Sequence, residues 1–356
     1  MDDERRLFLR RLLDAPGPSG FERGVGRIWR TEAETFADEV TLDAVGNSYA
    51  RVRGSGGAEA PTVLVAGHID EIGFVVSHVD EEGFLWFEPL GGWDPQVVVG
   101  QRIRLLGHAG ETVGVVGKKA IHLMKPEDRD KPSRLSDLWI DIGAANRDEA
   151  RRRVDVGDAG VIDASFVQLS GETWASRSMD DRVGAFVALE AARLCAEQRP
   201  FSDIVAVANV QEENGLIGAA VAAFRLAPQV AIAVDVTHST DYPGADKHRD
   251  GEVPLGGGPV LTRGATLNPV VYDRLRAVAT SSAIPFTLQA TGNRSGTDAD
   301  SMIASGAGTA TGLVSVPTRY MHSPNETVHL RDLTDAARLI AGFVAEITAA
   351  SDFRPD

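Results

Sequence analysis

The alternation of apolar and polar residues changes twice along the chain. Up to residue 72, helix-like segments precede an apolar run at 61–66 that predicts a buried strand. From about residue 168, apolar runs of strand length alternate with helix-like segments. The last of these, 332–350, predicts a long helix capped by Asp332 or Thr334. The pattern predicts an α/β domain built from both ends of the chain.

The intervening stretch, residues 73–167, has a different pattern of apolar residues and turns. It holds short strand-like runs separated by Gly-rich turns, a spacing typical of a small all-β barrel or sandwich. The charged segment 125–134 within it predicts an exposed loop. We therefore expect a discontinuous α/β domain, residues 1–72 and 168–356, and an inserted β domain, residues 73–167.

The segment 203–219 brings a candidate active group to the end of a strand. An apolar run at 204–210 predicts a buried strand and is followed directly by Glu212 and Glu213. In open α/β sheets, ligands bind at this edge. One of two adjacent carboxylates can hold a metal while the other handles a proton. Taken alone, the pair is better interpreted as a solvated turn, and only the other candidate residues favour an active site.

Other acidic and histidine residues also follow predicted buried strands or begin a predicted helix. They are His68, Asp180, Asp235 and His322. Imidazole and carboxylate together suit zinc, cobalt or manganese. With Glu213 they supply two histidines and three carboxylates, too many for one catalytic zinc but suited to two metals about 3.5–4 Å apart that share a carboxylate. Each position alone also has a plain interpretation, such as a helix cap at Asp180.

One further acid accompanies the first histidine. Asp70 lies two positions after His68, on the same side of an extended segment. A carboxylate there would orient the imidazole. The remaining histidines, His238 among them, have no comparable setting, and we interpret them as surface or core residues.

Composition narrows the function classes. The net charge of -15 argues against a nucleic-acid partner, because phosphate binding needs clustered Lys and Arg. No run of about 18 apolar residues predicts a membrane span, and the N-terminal segment resembles an amphipathic helix rather than a signal peptide. The single cysteine, Cys195, excludes a disulfide within the chain, fits a cytoplasmic setting and is expected to be a packing residue.

Several motifs occur in an order that carries a resemblance. They are APGPSGFE, GHIDEIGFVV, GGWDPQVVVGQR, DLWIDIGAANRDEA, SMDDRVG, VQEENGLIGA, AVDV, VPLGGGPVL, GTDAD and RYMHSPNE. Together they resemble the glutamyl and tetrahedral (deblocking) aminopeptidases, a family of dinuclear metallopeptidases with a three-layer α/β/α catalytic domain. The similarity covers nearly the whole chain.

The resemblance implies a role for each candidate residue. His68 and Asp235 would hold one divalent metal ion, Glu213 and His322 the other, and Asp180 would bridge them. Glu212 would be the general base, and Asp70 would orient His68. The resemblance also implies a cis peptide bond between Asp180 and Asp181.

The implied reaction is hydrolysis of N-terminal residues from short peptides with a free N-terminus. A deacylase or specialised dipeptide hydrolase with the same centre remains an alternative, as do an endoglucanase-labelled relative and an inactive metal-binding protein. The resemblance also implies that the β domain mediates self-association, from dimer to dodecamer. A lid is the alternative role for that domain. Gly257 and the 118–122 segment depart from the family pattern and affect the expected substrate preference and assembly.

Overall fold

The computed structural model describes residues 1–355 and contains ten α-helices and seventeen β-strands within that range. The helices are α1 (Asp3–Asp14), α2 (Arg23–Ala33), α3 (Pro95–Val98), α4 (Arg147–Arg151), α5 (Met179–Gln198), α6 (Ile217–Leu226), α7 (Lys247–Asp250), α8 (Pro269–Ser281), α9 (Ala299–Ile303) and α10 (Leu330–Ala345).

The strands form three separate sheets. Their bounds are β1 (Glu39–Leu42), β2 (Ser48–Val52), β3 (Thr62–His68), β4 (Gly73–Val79), β5 (Leu85–Leu90), β6 (Arg102–Gly107), β7 (Gly110–Gly117), β8 (Trp139–Asp141), β9 (Ala159–Ile162), β10 (Val167–Ser170), β11 (Thr173–Ser176), β12 (Asp203–Asn209), β13 (Val230–His238), β14 (Val260–Gly264), β15 (Thr287–Thr291), β16 (Ala310–Thr318) and β17 (Glu326–His329).

The main sheet has eight strands in the order β1-β2-β12-β3-β13-β16-β14-β15. Its four central strands, β12, β3, β13 and β16, run parallel to one another. Parallel strands are buried on both faces, which explains their continuous apolar sequences. Side chains of β3 alternate between two cores: Val63 and Val65 face α1, α2, α5, α8 and α10, whereas Leu64 and Ala66 face α6 and α9. The predicted α/β domain with helices on both faces is confirmed.

The inserted strands close into a barrel. Six antiparallel strands follow the order β4-β5-β8-β7-β6-β9 around an apolar core that includes Phe74, Leu85 and Ile140. The strand β9 pairs with both β4 and β6 and thereby closes the barrel. The predicted small all-β fold is confirmed and is a barrel rather than a sandwich. The boundaries of the two domains stay a prediction.

A small third sheet, β10-β11-β17, links two segments that enter the site described below. The strand β11 leads directly into α5, and β17 leads directly into α10. The two strands are antiparallel, with Ser176 opposite Glu326. Although these strands are about 150 positions apart in sequence, their pairing brings the start of α5 beside the loop that precedes β17.

The predicted start of the last helix is wrong. The helix α10 begins at Leu330, and His329 is its N-cap, accepting a hydrogen bond at Nδ1 from the Arg331 N–H. The Asp332 side chain instead accepts hydrogen bonds from the N–H groups of Gly256 and Gly258, so it anchors a distant loop rather than its own helix. Among residues 1–355, no helix combines the length and apolar composition that crossing a membrane requires.

Candidate metal centre

The candidate residues meet at the carboxyl edge of the parallel strands. His68 is the last residue of β3 and lies opposite Asn209, the last residue of β12, so Glu212 follows at the same edge. Asp235 lies near the end of β13. Because parallel strands end at one edge, three separate segments converge there. The start of α5 adds Asp180 from one side.

The loop between β16 and β17 completes the cluster with His322. The Nε2 atom of His322 lies 3.4 Å from Oδ2 of Asp180 and 3.3 Å from Oε1 of Glu213. On the other side, Nε2 of His68 lies 3.1 Å from Oδ1 of Asp180. Each oxygen of the Asp180 carboxylate therefore faces a different imidazole.

Potential ligand atoms fall into overlapping groups that could each hold an ion. His68, Asp180 and Asp235 offer atoms within 4.8 Å of one another, and so do Asp180, Glu213 and His322. Asp180 is common to these two groups, whereas a third group, His68, Glu212 and Glu213, lacks it. The structure thus brings together all five residues that the sequence singled out as metal ligands.

The charges of this cluster fit bound cations. Three carboxylates of the cluster are removed from water and lie near one another, so the pKa of each is raised. The pKa of Glu212 rises to about 9, and those of Glu213 and Asp235 rise above their usual range. Hydrogen bonds to Asp180 and Glu213 raise the pKa of His322 to about 11. Buried carboxylates outnumber imidazoles here, so divalent cations would supply the missing positive charge. Nitrogen and carboxylate donors suit zinc, cobalt or manganese.

The Asp70 carboxylate fixes the backbone beneath the cluster. It is fully buried, and its two oxygens accept hydrogen bonds from the N–H groups of Glu212 and Glu213, both at 3.1 Å. One oxygen also lies 3.4 Å from Nδ1 of His68. Asp70 therefore holds the Glu212–Glu213 turn as well as facing the imidazole that the sequence assigned to it.

The start of α5 has an irregular backbone at the site. The peptide bond between Asp180 and Asp181 is cis, as the family resemblance implied. The Asp181 side chain accepts hydrogen bonds from the N–H groups of His68 and Gly184, both at 3.1 Å. Sequence reasoning assigned no role to Asp181. Its only signal was its position beside Asp180.

A cavity of about 290 Å³ opens beside the cluster. Besides the candidate ligands and Glu212, the side chains of Thr237, His238, Ser295, Thr297 and Met321 line it. His238 is exposed, in agreement with its interpretation as a surface residue, and it also lines this cavity. This histidine ends β13, three positions after Asp235, and the strand carries it to the cavity. The cavity gives a small substrate access to the ligand atoms.

Comparisons with known proteins show what this chain is similar to. The family model described as M42 glutamyl aminopeptidase matches residues 46–339. The chain is 36% identical to a lysyl aminopeptidase of Pyrococcus furiosus over 353 residues, which cover 98% of this chain and 99% of the relative.

Two solved structures are similar over nearly their full lengths. A TET aminopeptidase from a marine sediment archaeon of the Thaumarchaeota has a TM-score of 0.92 and 34% identity, covering 97% of each chain. The Pyrococcus horikoshii TET1 peptidase has a TM-score of 0.85 and 30% identity, covering 96% of this chain and all of its own. That peptidase can assemble into a tetrahedron or a large octahedral shell.

Proposed function

Because the chain belongs to the M42 glutamyl aminopeptidase family, we propose that the cluster at its strand edge is a dinuclear metal centre that hydrolyses the first peptide bond of short peptides. The family identifies the chain as an aminopeptidase. The proposal concerns the number of metal ions, the residues that hold them and the general base.

The observation that carries the proposal is the position of Asp180 between two groups of ligand atoms. Its Oδ1 faces His68 and its Oδ2 faces His322. We assign His68 and Asp235 to one ion, Glu213 and His322 to the other, and Asp180 to both. The donor set suits zinc or cobalt, and manganese also. A single ion would leave the ligand atoms of one of these two groups without a cation.

Two divalent cations bound there would lower the pKa of a water molecule and polarise the scissile carbonyl. The chain's own base would be Glu212, whose Oε2 lies 3.8 Å from Nε2 of His68, beside the ligand atoms. We propose that Glu212 accepts the proton of the attacking water and passes it to the leaving amine. An acidic group of the cavity would receive the free α-amine of the substrate, which would restrict cleavage to the N-terminal residue.

Substitution of Glu212 by Gln tests the base assignment. This variant should keep the bound metal but lose activity by about 10²–10⁴-fold, the usual contribution of a general base. The matched change at the neighbouring position, Glu213→Gln, should lose metal as well as activity. Metal content and release of the N-terminal amino acid are measured on the same samples. Near-normal turnover by a fully loaded Glu212→Gln variant would show that another group is the base.

We also propose that residues 73–167 form a separate domain that mediates self-association. Two observations support an interface there. Val113 and Val115 alternate along β7 and are 55% and 47% exposed, and Leu123 in the following loop is 71% exposed. Sedimentation velocity distinguishes a dodecamer from a dimer. A monomer at working concentration would remove this part of the proposal.

A further inference from the structure

We propose that Glu326 is a positioning residue that holds two ligands of the metal centre, Asp180 and His322, at the correct separation. The inference rests on the dinuclear function proposed above. Glu326 is the first residue of β17, and only 2% of its surface is exposed. Neither of its carboxylate oxygens is directed at the candidate ligand atoms. Both are used to bind the backbone of the ligands.

Each oxygen of Glu326 accepts a hydrogen bond from a different ligand residue. Oε2 accepts from the N–H of Asp180 at 3.0 Å, and Oε1 accepts from the N–H of His322 at 2.8 Å. Asp180 lies in the first turn of α5, whereas His322 lies in a loop more than 140 positions later. The Glu326 carboxylate thus connects the segment that carries Asp180 to the loop that carries His322.

Both ligand residues need such a constraint because neither lies in regular structure. His322 has a φ of 60° and Tyr320 a φ of 62°, left-handed conformations that are unfavourable for residues other than glycine. Asp180 has non-helical dihedral angles within the first turn of α5. The left-handed backbone at Tyr320 and His322 persists when surrounding contacts determine it. The extended backbone of Asp180 is not held by the hydrogen bonds of a regular helix. Glu326 supplies one acceptor oxygen to each ligand residue.

The position of Glu326 follows from strand pairing. It lies opposite Ser176 at the end of β11, and α5 begins three residues after that serine. The pairing of β11 with β17 therefore brings the carboxylate to the start of α5, while the tight loop 319–326 folds the backbone of His322 back onto it. Asp70 makes a parallel arrangement with the N–H groups of Glu212 and Glu213. Asp70 and Glu326 are thus two buried carboxylates that each bind the backbone of two residues at the centre.

Replacement of Glu326 by Gln tests this role with little change in shape. The amide group has one acceptor oxygen, and its NH₂ would face an N–H donor, so one of the two backbone contacts is lost. Glu190→Gln is the matched control, because Glu190 is a largely buried glutamate on the outer part of α5 that pairs with Arg193. Glu326→Asp, too short to reach both N–H groups, is the second variant if the first does not fold.

The experiment measures Co²⁺ binding to the metal-free chain by titration calorimetry and by the visible absorption of the bound ion. Wild type and Glu190→Gln should bind two ions. The Glu326 variants should bind both ions more weakly, because Asp180 is assigned to both. The affinity for the ion that His322 holds should fall by about 10- to 100-fold, the usual effect of losing a group that orients a ligand.

Other outcomes separate this inference from the function on which it rests. Normal binding of both ions by a Glu326 variant would refute the positioning role alone. Equally weak binding of the ions by Glu190→Gln would also refute it, because it would indicate a general effect of removing a buried glutamate charge. A wild-type chain that binds fewer than two ions would refute the dinuclear proposal itself.

Discussion

Replacing Glu71 by Gln should destabilise the fold strongly, because this side chain is the counter-charge of two buried arginines. The Glu71 carboxylate binds Arg177 and also accepts a hydrogen bond from Nη2 of Arg182 at 2.6 Å and one from the Gly17 N–H at 3.0 Å. The side chains of Arg177 and Arg182 are 4% and 0% exposed. Glutamine would keep the shape but leave both guanidinium groups without a charged partner.

The size of the effect follows from this burial. Removing one partner of a buried ion pair costs about 3–5 kcal/mol. The unfolding entropy is about 2.1 cal/mol/K per residue, or roughly 0.75 kcal/mol/K for the 356-residue chain. The melting temperature should therefore fall by about 4–7 °C.

Scanning calorimetry of the metal-free chain measures this change without a contribution from bound ions. The control is Glu81→Gln, because Glu81 also pairs with an arginine, Arg147, at 2.7 Å but is 76% exposed. An exposed pair contributes little, so the control should change the free energy of unfolding by less than about 0.5 kcal/mol. A difference of 1 °C in melting temperature corresponds to about 0.75 kcal/mol in the free energy of unfolding. If the two variants melted within 1 °C of each other, the buried ion pairs of Glu71 would not stabilise the fold.

Two further predictions concern the layer behind the site. Gly67→Ala should lower the free energy of unfolding by about 1–3 kcal/mol or more, because its new methyl group would overlap the backbone of α5 at Gly184. The control is Gly26→Ala, because Gly26 lies on α2 with room for a methyl group. In the same denaturant titration, the control should be neutral or slightly stabilising. Burial raises the pKa of the Cys195 thiol to about 12, so iodoacetamide at pH 8 should label the unfolded chain but not the native one. Rapid labelling of the native chain would contradict the burial of this side chain. Because the thiol of the unfolded chain has a pKa near 8.5, the free energy of unfolding should fall as the pH rises from about 8.5 toward 12.

The sequence was informative about the site because each candidate ligand stands beside a visible boundary. Apolar runs end at His68, at Val210 just before Glu213, and near Asp235, and such runs identify strands without knowledge of their order. Parallel strands then bring their ends to one edge. Local pattern therefore predicted which residues meet, although it said nothing of the distances between them.

Residues that support the site were harder to predict because their roles depend on contacts between distant segments. Glu326 stands between Asn325 and Thr327, a polar setting that suggests exposure, and only the pairing of β11 with β17 buries it. Glu71 meets its two arginines from positions more than 100 residues away. The choice between barrel and sandwich was open for the same reason, since β9 must pair with both β4 and β6.

The metal content of the purified chain, measured with its activity, tests the central claim most directly. Amino-acid release is followed from free and N-acetylated peptides, before and after treatment with a chelator. The proposed dinuclear centre predicts about two metal ions per chain, cleavage of free peptides alone, and loss of that cleavage on chelation. A chain that binds no metal and cleaves peptides equally well after chelation would contradict the assignment of all five ligands together.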